Sequence, residues 1–288
     1  MCESTPKTLI SQQIIFSGAG SLAESLIKGM IARHVVRPEG ITVTNRSNAA
    51  RLLELKTRYG VVTQNDDAAK EELLRRAPVI VLAMKPKDAG AALKAMAPLL
   101  SEDQLLISVI AGLSIRTMQQ LLGRNQPIAR TMPNTSSSIG LGATGITFSK
   151  EISPEQRTSV LQMFESVGTV TVVDEDKMEI LTGISGSGPA YVYYLMEAMM
   201  AAGIRGGLTA EQCRELTVQT VLGAARMVQQ TEEEPSALRA KIMSPNGSTI
   251  AALQKLDEGD FFETVISAVY RCAERSREMG DALKEGIE

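Results

Sequence analysis

QIIFSGAGSLAESLIKGM, residues 13–30, decides the fold. Gln13–Ser17 is a short apolar run of the kind that forms a buried strand. It runs into Gly18-Ala19-Gly20-Ser21-Leu22-Ala23, a G-x-G-x-x-A turn, and then into the helical spacing of Leu22–Ala32. A dinucleotide pyrophosphate needs this arrangement. The first glycine makes the tight turn, and the second lets the backbone approach the phosphates. A small third residue lets helix and strand close up. The helix N-terminus then faces the negative charge.

Outward from this unit, the pattern repeats. Ile41–Asn45, Val79–Met84, Leu105–Ile110 and Ile128–Thr131 read as strands, followed by Gly145–Phe148 and Thr169–Val173. Ala49–Tyr59 and Asp88–Leu100 have helical spacing, and Ser153-Pro154 opens a helix over Glu155–Val167. Apolar strands alternating with helices predict a mostly parallel sheet covered on both faces. After Val173 the strand signals stop. Glu175–Leu181, Pro189–Gly203, Thr209–Gln230, Ile250–Glu258 and Phe262–Met279 all read as helices. The expectation is an α/β Rossmann-type dinucleotide-binding domain over 1–175. A helical domain follows over 176–288.

Composition narrows the function. The chain has 288 residues, is 44% hydrophobic and carries a formal charge of −3. That balance gives no electrostatic case for nucleic acid or an anionic membrane. No apolar run approaches the ~20 residues of a membrane span, and residues 1–13 hold no signal-peptide core. The three cysteines, Cys2, Cys213 and Cys272, are scattered and fit neither a disulfide framework nor a metal site, which points to a cytoplasmic setting. The single histidine, His34, leaves no material for Ser-His-Asp chemistry. The polar tail over 281–288 is expected to fray.

Two stretches carry anion-binding chemistry. In the first half, the second strand ends in Asn45-Arg46-Ser47, where an NAD site usually places a carboxylate. Arg46 can pair with a 2′-phosphate, so the site reads for NADP(H), with NAD(H) possible. A solvated surface arginine is the plain alternative. Ala83-Met84-Lys85-Pro86 and Ala111-Gly112 close two further strands, at the ends where parallel sheets bind ligands. Lys85 could reach ribose or phosphate, or simply stand exposed at a turn. In the second half, Ser244-Pro245-Asn246-Gly247-Ser248-Thr249 precedes the helical IAALQKLDEG. With Ser248 or Thr249 as N-cap, this loop offers amide hydrogens and hydroxyls to a carboxylate. It could equally be a well-capped loop. No paired carboxylate or metal cluster offers acid–base chemistry. A substrate that arrives already protonated, such as an iminium, needs little proton transfer from the protein.

Together these pieces resemble the pyrroline-5-carboxylate reductase family. The likeness rests on GAGSLAESLIKGM (18–30), AMKPKD (83–88), RTMPNTSSSIGLGAT (130–144), LTGISGSGPAYVYY (181–194) and SPNGSTIAALQKLDEG (244–259). The resemblance implies hydride transfer from NAD(P)H to the C=N carbon of 1-pyrroline-5-carboxylate, giving L-proline. It implies cofactor contacts from Gly18, Ala19, Gly20, Ser21, Leu22 and Ala23, from Asn45, Arg46 and Ser47, from Asn65, from Ala83, Met84, Lys85 and Pro86, and from Ile110, Ala111 and Gly112. It implies a substrate site of Ser244, Asn246, Gly247, Ser248 and Thr249, with Glu175 and Glu232 nearby and Thr249 in the polar catalytic role. The family loop more often reads S-P-G-G-T-T. Asn246 tolerates the left-handed backbone that a glycine would take there. Lys241 stands where many members have Asn.

The resemblance also bears on GISGSGPAYVYYLMEAMM, residues 183–200. This reads as a glycine-serine turn feeding a helix that is apolar on more than one face. Such a helix must be covered on nearly all sides. The family's dimer interlocks two helical domains, and family members often form decamers; an ordinary intrachain core helix is the other reading. Gly186 and Gly188 would permit close backbone approach there. Two competing functions remain in view. One is an NADP-dependent dehydrogenase of the β-hydroxyacid type. The other is a non-catalytic NADPH sensor.

Overall fold

The protein is described by a computed structural model over residues 12–285, so Cys2 and the last three residues of the 281–288 tail lie outside the description. It divides into two compact units, Met1–Ser187 with Arg271–Glu288, and Gly188–Tyr270. The compact units divide between Ser187 and Gly188, and the end of the last helix belongs to the first unit.

The first unit is built on an eight-stranded sheet. Its strands are β1 (Ile14–Ser17), β2 (Ile41–Thr44), β3 (Val62–Gln64), β4 (Val79–Leu82), β5 (Leu105–Ser108), β6 (Ile128–Met132), β7 (Gly142–Phe148) and β8 (Gly168–Val172). They lie in the order β3-β2-β1-β4-β5-β6-β7-β8. Only β6 and β7 pair antiparallel; every other pair is parallel. The period-2 alternation of strand side chains sends Ile14 and Phe16 to one face and Ile15 to the other. The first face packs with Leu26, Ile27 and Met30 of helix α1 (Ser21–Ala32). The second packs with Leu93 of α4 (Pro86–Met96) and Met118 of α5 (Ile115–Leu122). Each such fully buried side chain contributes about 1.5–3 kcal/mol. α2 (Ala49–Tyr59), α3 (Asp67–Arg76) and α6 (Pro154–Glu165) complete the cover. The expected helix after Ser153-Pro154 forms with a full capping box between Ser153 and Gln156.

Four elements were not expected from sequence: β3, α3, α5 and, in the second unit, a short helix over Pro235–Lys241. The stretch at 183–188 is also corrected. It is not a flexible turn. A 3-10 turn at Glu175–Lys177 leads into α7 (Met178–Leu181), and a π-helical segment then spans Thr182–Gly186. Its backbone stays bonded, with Ser187 N donating to Thr182 O at 2.9 Å. Asn134 Nδ2 clamps it from outside by donating to Ser185 O at 3.0 Å. Gly186 packs closely, since a Cβ there would lie 2.9 Å from Met132 Cε, the movable end of a flexible side chain. Gly188, by contrast, faces open space within the chain.

The last helix, α12 (Phe261–Glu285), ends against the turn after β5. Gly112 sits there at φ 75, and a Cβ on it would lie 2.9 Å from Ser276 O. A Cβ on Gly280 would lie 2.2 Å from Gly112 O. Backbone meets backbone at this point.

The second unit holds α8 (Gly188–Arg205), α9 (Ala210–Thr231), α10 (Pro235–Lys241), α11 (Ser248–Glu258) and the start of α12. α9 opens with a capping box of Thr209 and Gln212. α8 and α9 pack together where Gly203 admits Cys213, whose Sγ would lie 2.6 Å from a Cβ on the glycine. Among its residues only Cys213 and Thr217 are buried. No described helix is long and apolar enough to cross a membrane.

Candidate functional site

Parallel strands end at the same edge of a sheet. The C-terminal ends of β3, β2, β1, β4 and β5 therefore line up. They bring together Asn65, the Asn45-Arg46-Ser47 turn, the Gly18–Ala23 turn, Ala83–Pro86 and Ile110–Gly112. β1 and β4 are the neighbours at which the strand order reverses, where such sheets take ligands.

The geometry of the first turn fits a diphosphate. Gly18 takes φ 124, and a Cβ there would stand 2.3 Å from Ala83 O, so only glycine fits between the strand ends. A Cβ on Gly20 would meet nothing within 4 Å, which leaves room over the helix start. Gly20 is the N-cap of α1, and no side chain caps that end. The amide hydrogens of the first turn of α1 thus face a space a phosphate could fill. Ala23 is fully buried beneath the turn, as a small third residue must be.

The neighbouring loops are ordered by local hydrogen bonds. Asn45 Oδ1 accepts from Ser47 N at 3.2 Å and Asn48 N at 3.3 Å, an Asx turn. Arg46 is left largely exposed and makes a loose contact with Asp88, Nη1 to Oδ1 at 3.4 Å. Asn65 N donates to the side chain of Gln64 at 2.8 Å. Lys85 is exposed and is the N-cap of α4, while Pro86 opens that helix rather than merely ending the strand.

The second predicted site lies on the second unit. Asn246 takes φ 58, the left-handed angle expected of it. Gly247 N donates to Ser244 O at 2.8 Å, and a Cβ on Gly247 would lie 2.4 Å from Ser244 Oγ. The cap expectation is corrected: Gly247, not Ser248 or Thr249, is the N-cap of α11, and no side chain caps it. The tight Ser244–Gly247 turn leaves no room for a side-chain cap at that position. Ser248 and Thr249 occupy the first turn of the helix, so their hydroxyls are not spent on capping. Glu232 closes α9 at φ 56. Lys241 pairs with Glu233.

Glu175 has partners within the first unit. Its Oε1 accepts from Ile115 N at 2.7 Å, at the start of α5, and from Arg130 Nη1 at 3.3 Å. Arg130, buried on β6, also donates to Glu179 Oε1 at 2.7 Å. Arg130 was not singled out as a site residue in the sequence, although it opens the RTMPN motif. The structure also reveals a cluster at the first turn that sequence reasoning missed. Arg51 on α2 donates through Nε to Ala19 O at 3.0 Å. It also donates to Glu24 of α1, which receives Arg58 and Tyr59 as well. The Arg51 and Tyr59 bonds hold the Glu24 carboxyl below its usual range. A single signal marked this pair in the sequence: each is a charge within a turn of a cofactor-loop motif.

A surface groove of about 490 Å³ lies at the far edge of the sheet, between Phe148, Arg157, Val172 and Lys177. None of the motif residues lines it. No metal-ligating cluster occurs among the described residues.

Comparison with known proteins covers both units. A family model described as pyrroline-5-carboxylate reductase dimerisation matches residues 175–279. A second, described as NADP oxidoreductase coenzyme F420-dependent, matches residues 13–112. Pyrroline-5-carboxylate reductase 1 of Bacillus spizizenii is 40% identical over 95% of this chain and 91% of its own. The solved pyrroline-5-carboxylate reductase of Coxiella burnetii is 36% identical, with a TM-score of 0.86 over 93% of this chain and 98% of its own. The Plasmodium falciparum pyrroline carboxylate reductase, solved with NADP bound, is 31% identical. Its TM-score is 0.84 over 95% of this chain and 100% of its own.

Proposed function

The chain belongs to the pyrroline-5-carboxylate reductase family, and from that membership we infer that it reduces 1-pyrroline-5-carboxylate to L-proline with NADP(H). This is the last step of proline biosynthesis. The observation that carries the reading is 40% identity over 95% of the chain, which spans both predicted anion sites. When bound, the nicotinamide supplies a hydride to the C=N carbon of the substrate.

The protein's own residues bind and orient. The Gly18–Ala23 turn would hold the diphosphate on amide hydrogens, and Asn45, Arg46 and Ser47 the adenosine end. Asn65, Ala83–Pro86 and Ile110–Gly112 would line the rest of the dinucleotide. Arg46 favours the 2′-phosphate of NADP(H) by charge, while NAD(H) can still bind through the diphosphate contacts. The Ser244–Thr249 loop would take the substrate carboxylate on the amides at the start of α11 and on the Ser248 hydroxyl. Thr249 would hydrogen-bond the ring nitrogen. A protonated imine needs no general acid, so orientation and electrostatics suffice. Glu232 would border that pocket. Glu175, which the family resemblance puts near the substrate, has one oxygen engaged by Ile115 and Arg130.

The dimerisation family match agrees with a second unit that leaves most of its apolar side chains uncovered. The finer arrangement is that α8 of one protomer lies in the core of its partner, with such dimers grouped into a decamer. A cytoplasmic location follows from the cysteine usage. A β-hydroxyacid dehydrogenase is disfavoured because that class carries a catalytic lysine where α8 reads PAYVYYLMEAMM, without one. The test is NADPH oxidation with pyrroline-5-carboxylate, set against 3-hydroxyisobutyrate and 6-phosphogluconate with NADP+. Turnover of the cyclic imine is expected. Binding of NADPH with no turnover of any imine would favour a sensor.

A further inference from the structure

The carbonyl of Ala19 poses a problem for a diphosphate site. It sits between Gly18 and Gly20, in a turn whose amide hydrogens must face an anion. A carbonyl oxygen aimed at the same space would repel that anion, and left buried without a partner it would carry a desolvation cost. Glu24 poses a second problem, since it is an acid in the first turn of the helix that would receive the phosphate.

One side chain answers both. Arg51 Nε takes the Ala19 carbonyl at 3.0 Å, and the same guanidinium donates to the Glu24 carboxylate. Its Nη1 reaches Glu54 at 2.8 Å, which anchors the fork on its own helix. The side chains of Arg51 and Glu24 are each only 19% exposed. The backbone of Arg51 is fixed too, because its N–H donates to Asn48 Oδ1 at 2.9 Å and so closes the N-cap of α2. Asn48 in turn is held by Asn45 of the Arg46 loop. Arg51 therefore joins the diphosphate turn to the loop that would read the 2′-phosphate.

We propose that Arg51 is a positioning residue for the cofactor: it turns the Ala19 carbonyl away from the diphosphate and masks Glu24, and so sets NADPH affinity without touching NADPH. This rests on the nucleotide reading above. The planar guanidinium matters because Nε, Nη1 and Nη2 meet three acceptors at fixed angles. An ammonium cannot reproduce that.

The test is NADPH titration by fluorescence, together with steady-state kinetics, on Arg51→Gln and Arg51→Lys. Loss of a hydrogen bond to a charged donor at this turn is expected to raise the Kd and KM for NADPH about tenfold in Arg51→Gln. In Arg51→Lys the rise is about threefold, since charge is kept and the fork is lost. The KM for pyrroline-5-carboxylate and kcat should stay within about twofold of the parent in both. A merely structural role would lower the melting temperature and the active fraction and leave NADPH affinity in the remaining folded protein alone. An NADPH Kd unchanged in folded Arg51→Gln overturns the proposal. So does an equal rise in both KM values. Should Arg51→Gln not fold, an unchanged Kd in Arg51→Lys overturns it. Failure of the unsubstituted protein to bind NADPH at all would instead remove the nucleotide reading itself.

Discussion

The two units bury their apolar residues in opposite ways. In the first, the strand residues Ile14, Ile15, Phe16, Ile80 and Leu82 are fully buried, and helices of the same unit pack on both faces of the central strands. In the second, α8 has no buried residue, and Tyr194 and Phe262 are 76% and 65% exposed. A sheet wrapped by its own crossover helices finishes its core alone. A helix apolar on several faces needs more neighbours than a short bundle supplies. The proposed nucleotide loops lie on the self-sufficient unit, and the proposed substrate loop lies on the other. Assembly is left to the other, in keeping with the dimerisation match over residues 175–279.

Substitutions can break that contrast. The largest effect is expected from Leu195→Asp on α8. On the proposed arrangement α8 lies in the dimer core, where a carboxylate costs several kcal/mol, so light scattering should find monomers, and imine reduction should fall more than about a hundredfold. NADPH binding by the first unit should persist. A dimer that survived the substitution would return α8 to an ordinary surface. Next comes Gly18→Ala, which drives a Cβ into Ala83 O at 2.3 Å. At a positive-φ site with such a clash, NADPH affinity should drop by about a hundredfold, while the dimer remains intact by size-exclusion chromatography. Thr249→Ala removes one hydroxyl of the second unit. The expected loss is about tenfold in kcat/KM for the imine, with NADPH Kd unchanged; a collapse of NADPH affinity instead would undo the assignment of separate sites. The smallest effect belongs to Arg46→Asp. Since Arg46 is exposed and loosely paired, the NADPH/NADH preference should shift only about fivefold toward NADH. An unmoved ratio would take Arg46 out of the phosphate site.

Legibility in the sequence follows the same division. The buried strands of the first unit are short unbroken apolar runs, so their spacing alone discloses them. β3 is an edge strand with no fully buried residue, and α3 is charged along its length, so neither carries an apolar period. The α5 helix is eight residues long and gives too short a window to stand out. At 182–186 local chemistry misleads. Glycine and serine spell a turn, but the clamp from Asn134 and the packing of Met132 keep the segment π-helical. The candidate sites are legible where backbone carries them, as at Gly18–Ala23 and Ser244–Thr249, because glycines mark such turns. Ser248 and Thr249 look like caps only because sequence cannot show that Gly247 has already taken that place. Arg51, Glu24 and Arg130 act through long side chains that cross between elements. No local periodicity records such reach.

The meeting of Gly112 with Gly280 has a consequence for descent. Each glycine occupies the room that the other's missing side chain leaves. Neither position can mutate alone without prising the end of the final helix off the turn after β5. Among orthologues the two sites should therefore drift as a pair or not at all. An alignment in which 280 diversifies freely beside an unchanging 112 would mean that this contact is dispensable.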